Sequence, residues 1–363
     1  MTLHRILPIA RAILVGALVA ATPVSAQSLE QMAGQMIVVG FAGDSAGDAS
    51  VVALQKKIAD GRLGGVMYLK PNVASLKAVG AMNAAFRAAS PDLPPLLTLD
   101  QEGGAVERLT EAVGFKELPR AVEIAAANSP EQAGRIYGEM ARKVADLGFT
   151  VNFGPVVDLN LNPDNQIIAK YGRAFGKTAD VVVPYARAFI EAHHRAGLLT
   201  SLKHFPGHGS STADSHEGFV DITDTWQETE LDPYRTIIGE GLADIVMIGH
   251  LIHRDYSDLP SSLSPEWITG VLRDELGFDG VVISDDLEMG AIREHFSMRD
   301  TVIRAVNAGM DILLFSNTAD PRASLDGEIR DILVAEAEAD PAFRARIEES
   351  YRRIVKLKAR IGD

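Results

Sequence analysis

The chain has 363 residues, 47% of them apolar and 23% charged, with a formal net charge of −14 and no cysteine. That composition can bury a sizeable core and excludes a disordered chain. The acidic balance argues against nucleic acid as a partner, because phosphates need a basic face. Without thiols there are no disulfides, no thiolate nucleophile and no thiolate-held zinc or iron–sulfur centre.

At the start of the chain, Arg5 and Arg11 precede an apolar run, Ala12 to Ala21, and the segment ends in Val24-Ser25-Ala26 before Gln27. Residues 1–26 read as a secretory signal with an A-x-A-like cleavage site. The run is shorter than the ~20 apolar residues that a bilayer span needs. The expectation is a periplasmic or secreted protein without stable membrane association once the signal is removed; an uncleaved anchor is the competing reading. Removal would take away two arginines and no acid, moving the charge from −14 to −16.

Eight short apolar runs then follow, at Gln35–Phe41, Gly65–Leu69, Leu96–Leu99, Val151–Val157, Leu198–Leu202, Asp244–Ile248, Gly280–Ile283 and Asp311–Phe315. Their continuous hydrophobicity predicts parallel strands covered on both sides. Helical patterns separate them. Ser129-Pro130 opens one with Ala133, Ile136, Tyr137, Met140, Val144 and Leu147 on one face and Gly148 after it. Ser264-Pro265 opens another, and Asp340-Pro341 a last one carrying Phe343, Ile347, Tyr351, Ile354 and Leu357. Strand–helix alternation of this kind predicts an α/β protein with a single (β/α)8 TIM-type barrel over residues 27–363. An open doubly wound sheet competes, but no Gly-x-Gly-x-x-Gly follows the first strand.

Barrel enzymes carry their chemistry where strands end. Strand three runs into Asp100-Gln101-Glu102-Gly103-Gly104, strand four into Asp158 and Asn160, and strand five into Lys203-His204-Phe205-Pro206-Gly207-His208-Gly209. Strand six delivers His250, and strand seven Ser284-Asp285-Asp286. The opposite strand ends show no comparable clusters in the sequence. Any one of these acids could be a helix cap or an ion-pair partner; Asp286 could merely orient its neighbour.

Three chemistries compete for the fifth loop. His204, His208, His216 and Asp214 could ligate a metal, yet their spacing matches neither a helical His-Glu-x-x-His nor a facial triad, so no metal and no cofactor are expected. A phosphate cradle would end in Gly-Lys-[Ser/Thr], which is missing. Acid–base work on a sugar fits better: one carboxylate traps the anomeric centre and a second group protonates the leaving oxygen. An imidazole can serve as that donor because its ordinary pKa of ~6.5 lies near working pH. Asp214, two residues from His216, could orient its ring, while Asp100, Arg108, Lys203 and His204 could hold hydroxyls.

Lys203-His204-Phe205-Pro206-Gly207-His208-Gly209, with Asp214-Ser215-His216, resembles the signature of glycoside hydrolase family 3, and within it the NagZ-type bacterial β-N-acetylglucosaminidases. Asp100 to Gly104, Asn152 to Asp158, Gly172-Arg173-Ala174-Phe175-Gly176, Gly249-His250 and Leu276 to Leu287 resemble further blocks of that family, in its order. The resemblance implies removal of terminal β-linked N-acetylglucosamine with retention, from a small carbohydrate substrate. It implies Asp285 as the nucleophile, His216 as acid/base with Asp214 as its partner on a mobile loop, and Asp100, Arg108, Arg173, Lys203 and His204 as sugar-holding residues. His250 is expected to line the same pocket. Gly207, Gly209 and the small residues Ser210 to Ala213 read as a flexible connection that lets His216 swing in. One departure stands out: Ala105 occupies a position where the family usually carries arginine. A phosphate acceptor in place of water, a non-catalytic sugar-binding barrel and a metallohydrolase remain alternatives.

Overall fold

The computed structural model describes residues 27–214, 218–318 and 320–361. The signal-like segment 1–26 and His216, with Ser215 and Glu217, lie outside the described residues.

Eight parallel strands form one sheet: β1 Ile37–Gly40, β2 Gly65–Met67, β3 Leu96–Leu99, β4 Val151–Asn152, β5 Leu199–Phe205, β6 Ile245–Ile248, β7 Val281–Ser284 and β8 Leu313–Phe315. Every residue of these strands is buried, as expected for β-branched and aliphatic runs with helices outside and side-chain layers inside. The sheet closes on itself. Ile37, Val38 and Val39 pair with Leu313, Leu314 and Phe315, and Ile283 bridges to Ile312 on the other side of β8. Closure is tight enough to need a glycine: a Cβ on Gly40 would lie 1.9 Å from the Ser316 carbonyl.

All eight expected strands are found in order; two shift by three residues or more at one end, for local reasons. β4 stops at Asn152 because Pro155 has no N–H to give a ladder; pairing resumes at Val156 opposite Lys203. β5 runs on through Lys203 and His204 to Phe205, with a register shift against β6 between Leu202 and Phe205. A bulge of this kind re-aims side chains, and here it places two consecutive residues, Lys203 and His204, at the cavity.

The helices follow their capping signals. Ser129 Oγ accepts from Gln132 N while Ser129 N donates to the Gln132 side chain, starting the helix Pro130–Asp146; its apolar stripe packs on the helix Ala179–His194. The Ser264-Pro265 segment opens Glu266–Glu275, which winds as a π-helix with Trp267, Ile268, Val271 and Leu272 buried. Asp340 caps the last helix, Pro341–Lys358, through Ala342 N. Among the described residues no helix is long and apolar enough to cross a membrane.

One expectation is corrected at the opposite rim, which does carry charge clusters. Asp311, before β8, accepts from Val282 N at 3.0 Å, Ser350 Oγ at 2.8 Å and Arg273 at 2.7 Å. Asp244, before β6, accepts from Thr200 N at 2.8 Å and pairs with His194 and Arg360. These acids sat at the margins of apolar runs, where they looked like part of the strands. Each ties a strand start to outer helices rather than facing a substrate cavity.

Lys358 also sits at this rim, 1% exposed, donating to Gln35 Oε1 and the Gly64 carbonyl, each at 2.7 Å. Burial pulls its ammonium down to about 7. Between about 7 and the unfolded value of ~10.4 the unfolded chain binds more protons, so this residue's penalty is full below about 7 and fades as pH rises. The stability of the Lys358→Met variant relative to the parent should therefore be greatest at and below neutral pH. That gap should shrink by at most about 1.4 kcal/mol per pH unit up to pH 10, measured by denaturant titration; a pH-independent gap would contradict it.

Candidate active site

The loop after β3 supplies the first wall. Gln101 holds it in shape: its Oε1 accepts from the N–H groups of Arg108 and Leu109, both at 3.0 Å. This curls Arg108 back over Asp100, and Arg108 Nη2 donates to Asp100 Oδ2 at 2.7 Å. Lys203 Nζ, arriving from the β5 bulge, takes Asp100 Oδ1 at 2.7 Å and Glu102 Oε1 at 2.6 Å. Arg173 grips Glu102 with two parallel bonds, Nε to Oε2 at 2.9 Å and Nη2 to Oε1 at 2.8 Å. Burial raises the Asp100 carboxyl, but Lys203 and Arg108 outweigh it and hold the group well below the usual range. Burial acts the same way on Glu102, and Arg173 with Lys203 holds it at about 2. Lys203, opposed by burial, is kept charged by the same two acids.

Glu102 was not singled out in the sequence, yet it is the second anchor of Lys203 and the main partner of Arg173. The available signal was an imbalance: three cations assigned to one pocket need more than one acid.

Asp158, after β4, organises the second wall. It accepts from His204 Nδ1 at 2.8 Å, from His204 N at 3.2 Å and from His208 N at 2.8 Å. Burial opposes its charge, but His204 heads the contacts that keep the carboxyl lowered. His204 Nε2 lies 3.3 Å from Arg173 Nη2, which can only donate. The ring therefore carries its proton on Nδ1 and presents a lone pair at Nε2. His208 is buried, its Nδ1 2.6 Å from Ser211 Oγ, and burial, with His204 next in effect, lowers it to about 4.

The flexible connection expected over Gly207, Gly209 and Ser210 to Ala213 is corrected for its first part, which is tightly packed through Ser211. A Cβ on Gly209 would lie 1.6 Å from the Leu159 carbonyl, and Gly207 sits at φ +122° against Glu230. Glu230, itself buried, accepts from Gly209 N at 3.0 Å and Ser210 Oγ at 2.5 Å. Asn165 Nδ2 donates to the His208 carbonyl at 2.8 Å. Gly209 is small because the Leu159 backbone presses on it and Gly207 because the Glu230 side chain does, and the loop is pinned through Ser211.

Asp285 closes β7 on the far side. Its N–H donates to the Ile248 carbonyl at 2.9 Å, and its Oδ1 accepts from Asp286 N at 2.8 Å. Asp286 turns its own Oδ1 to Ser316 N at 2.8 Å and Glu288 N at 3.1 Å, tying β7 to β8.

A cavity of about 440 Å³ joins these walls. Asp100, Arg108, Arg173, Lys203 and His204 line it on one side and Asp285 on the other, with Asp214 also on its lining and Met247, Met289 and Leu314 supplying apolar surface. His250 is not among the lining residues. It is fully buried, its Nε2 2.9 Å from the Asp286 carbonyl and its Nδ1 2.8 Å from Ser262 Oγ. Ala105 is exposed beside Val106, which does line the cavity.

The model of the Glycosyl hydrolase family 3 N terminal domain matches residues 28–357. A beta-hexosaminidase of Xylella fastidiosa (strain 9a5c) is 37% identical over 288 residues, 77% of this chain and 82% of that one. A beta-hexosaminidase of Stenotrophomonas maltophilia (strain R551-3) is 38% identical over 259 residues, 69% of this chain and 75% of that one. The crystal structure of beta-N-acetylhexosaminidase from Beutenbergia cavernae superposes with a TM-score of 0.81 at 30% identity, over 92% of this chain and 99% of that one. A family 3 beta-N-acetylglucosaminidase from Paenibacillus gives 0.83 at 33%, over 92% and 63%. The chain belongs to glycosyl hydrolase family 3.

Proposed function

We propose that the chain is a retaining β-N-acetylhexosaminidase that removes terminal β-linked N-acetylglucosamine from peptidoglycan fragments or chitin-like oligosaccharides. The observation that carries this reading is that Asp285 and Asp214 line one cavity with the Asp100–Lys203–Arg108 ion network. The names of the relatives support the sugar class. The apolar run after Arg5 and Arg11 and the Val24-Ser25-Ala26 sequence support export, with the cell envelope or medium as the place of action.

In this mechanism Asp285 attacks C1 as the glycosidic C–O bond breaks, forming a covalent glycosyl ester. His216, steadied by Asp214, gives its proton to the departing oxygen. Water then adds to C1, returning its proton to His216, and the Asp285 ester bond breaks. The ionised network holds sugar hydroxyls through charge-assisted hydrogen bonds, which are shorter and stronger than neutral ones.

Asp285→Asn should lower turnover of an aryl N-acetylglucosaminide by roughly a thousand-fold or more, since the covalent route is lost; a folded variant with parental turnover would refute the nucleophile. His216→Ala should cost about a hundred-fold on a disaccharide and under ten-fold on a nitrophenyl glycoside, whose leaving group needs little protonation. Equal losses on both substrates would argue against proton donation. Lys203→Met should destabilise the fold by roughly 3–5 kcal/mol, because it leaves two buried carboxylates under-compensated; an unchanged denaturation midpoint would show the network to be dispensable.

A further inference from the structure

His250 is a buried histidine that the reaction above does not use, and its two ring nitrogens settle its tautomer. Nε2 faces the Asp286 carbonyl at 2.9 Å, and a carbonyl only accepts, so Nε2 carries hydrogen. Nδ1 lies 2.8 Å from Ser262 Oγ, which can donate to it. The ring cannot easily move away. The neighbouring Ser261 Oγ donates to the Gly249 carbonyl at 2.7 Å and accepts from Leu251 N at 3.2 Å, clamping the backbone on both sides of His250.

The residue at the other end of this chain of bonds is Asp286, whose N–H donates to Asp285 Oδ1 at 2.8 Å. We infer that His250 is a positioning residue for the Asp285 carboxylate, acting through the backbone of Asp286: Ser262 fixes the ring, the ring holds the Asp286 carbonyl, and the Asp286 N–H holds Asp285 Oδ1. The same N–H bond supports the carboxylate again when the glycosyl ester breaks. The Asp286 carbonyl also accepts from Met289 N at 3.0 Å; without the imidazole donor it loses one of these two partners, and residue 286 gains freedom to turn its N–H away from Asp285.

The inference rests on Asp285 being the nucleophile, and its test separates the two claims. A 5-fluoro N-acetylglucosaminyl donor traps the covalent intermediate; the labelled peptide identifies the nucleophile and the labelling rate reports its alignment. His250→Leu should slow labelling and kcat about ten-fold, the worth of one neutral hydrogen bond, with KM within about two-fold of the parent. His250→Gln, whose side-chain N–H can reach the same carbonyl, should recover to within about three-fold. A label on Asp285 at an unchanged rate in His250→Leu overturns the inference alone, as does a folded His250→Gln no better than His250→Leu. A label on another side chain overturns the nucleophile and this inference with it. Should His250→Leu fail to fold, Ser262→Ala tests the same chain: it should slow labelling about three-fold, and an unchanged rate overturns the positioning role.

Discussion

The cavity is built around one buried ammonium. Lys203 is 2% exposed, and a charge so placed costs several kcal/mol unless it is paired at close range. Its partners are Asp100 and Glu102, two residues apart on the loop after β3, so the bulge in β5 and that loop must meet for either to be tolerated. Each acid is then shared with a guanidinium, Asp100 with Arg108 and Glu102 with Arg173. Adding Asp158, which acts on Arg173, three cations face three acids, a formal sum of zero with His204 in its neutral form. These paired groups offer strong donors and acceptors to the hydroxyls of a polyol.

This arrangement was partly legible in the sequence. The eight apolar runs identified the strands because parallel strands buried on both faces have no polar alternation to obscure them. Asp100, Lys203 and His204 were found because strand ends are where a barrel places polar groups, Arg108 as a hydroxyl-holding cation on the loop after β3, and Arg173 through the family resemblance of Gly172 to Gly176; all five line the cavity. Glu102 escaped because an acid two residues after another looks like surface repetition. His250 was placed in the cavity because sequence gives the strand end but not the direction of the ring, which here turns toward the Asp286 carbonyl. Asp244 and Asp311 were absorbed into apolar runs, since one acid at the edge of a strand leaves the pattern intact.

Glycine was the residue type most open to misreading. In sequence, Gly207 and Gly209 among serines look like a hinge. In the fold, Gly209 lies against the Leu159 carbonyl and Gly207 against Glu230, and each would be forbidden a side chain for steric reasons. A segment pinned by Asp158, Asn165 and Glu230 through Ser211 gives the chain beyond it, including Asp214, a firm root. Glu230 has its acidity weakened by burial, to about 7, so the carboxyl that braces this root meets acid and base forms near neutral pH.

The adjacent acids Asp285 and Asp286 cannot be told apart by residue type; the family resemblance points to the first, and the geometry shows the physical difference between them. Asp286 Oδ1 is taken by two backbone N–H groups, from Ser316 and Glu288, and burial raises its carboxyl, which makes it a poorer anion. A carboxylate engaged that way joins strands. Asp285 accepts from the Asp286 N–H on Oδ1, which fixes its plane. The pair thus divides the labour that a lone acid could not perform: one residue spends its side chain on rigidity, and its backbone aims the other. Burial behind the pair, through His250 and Ser262, extends that rigidity to β6 and the turn beyond it. The nucleophilic role proposed for Asp285 would need this more than a ligand-binding role would, because attack at C1 tolerates far less angular error than a hydrogen bond to a hydroxyl.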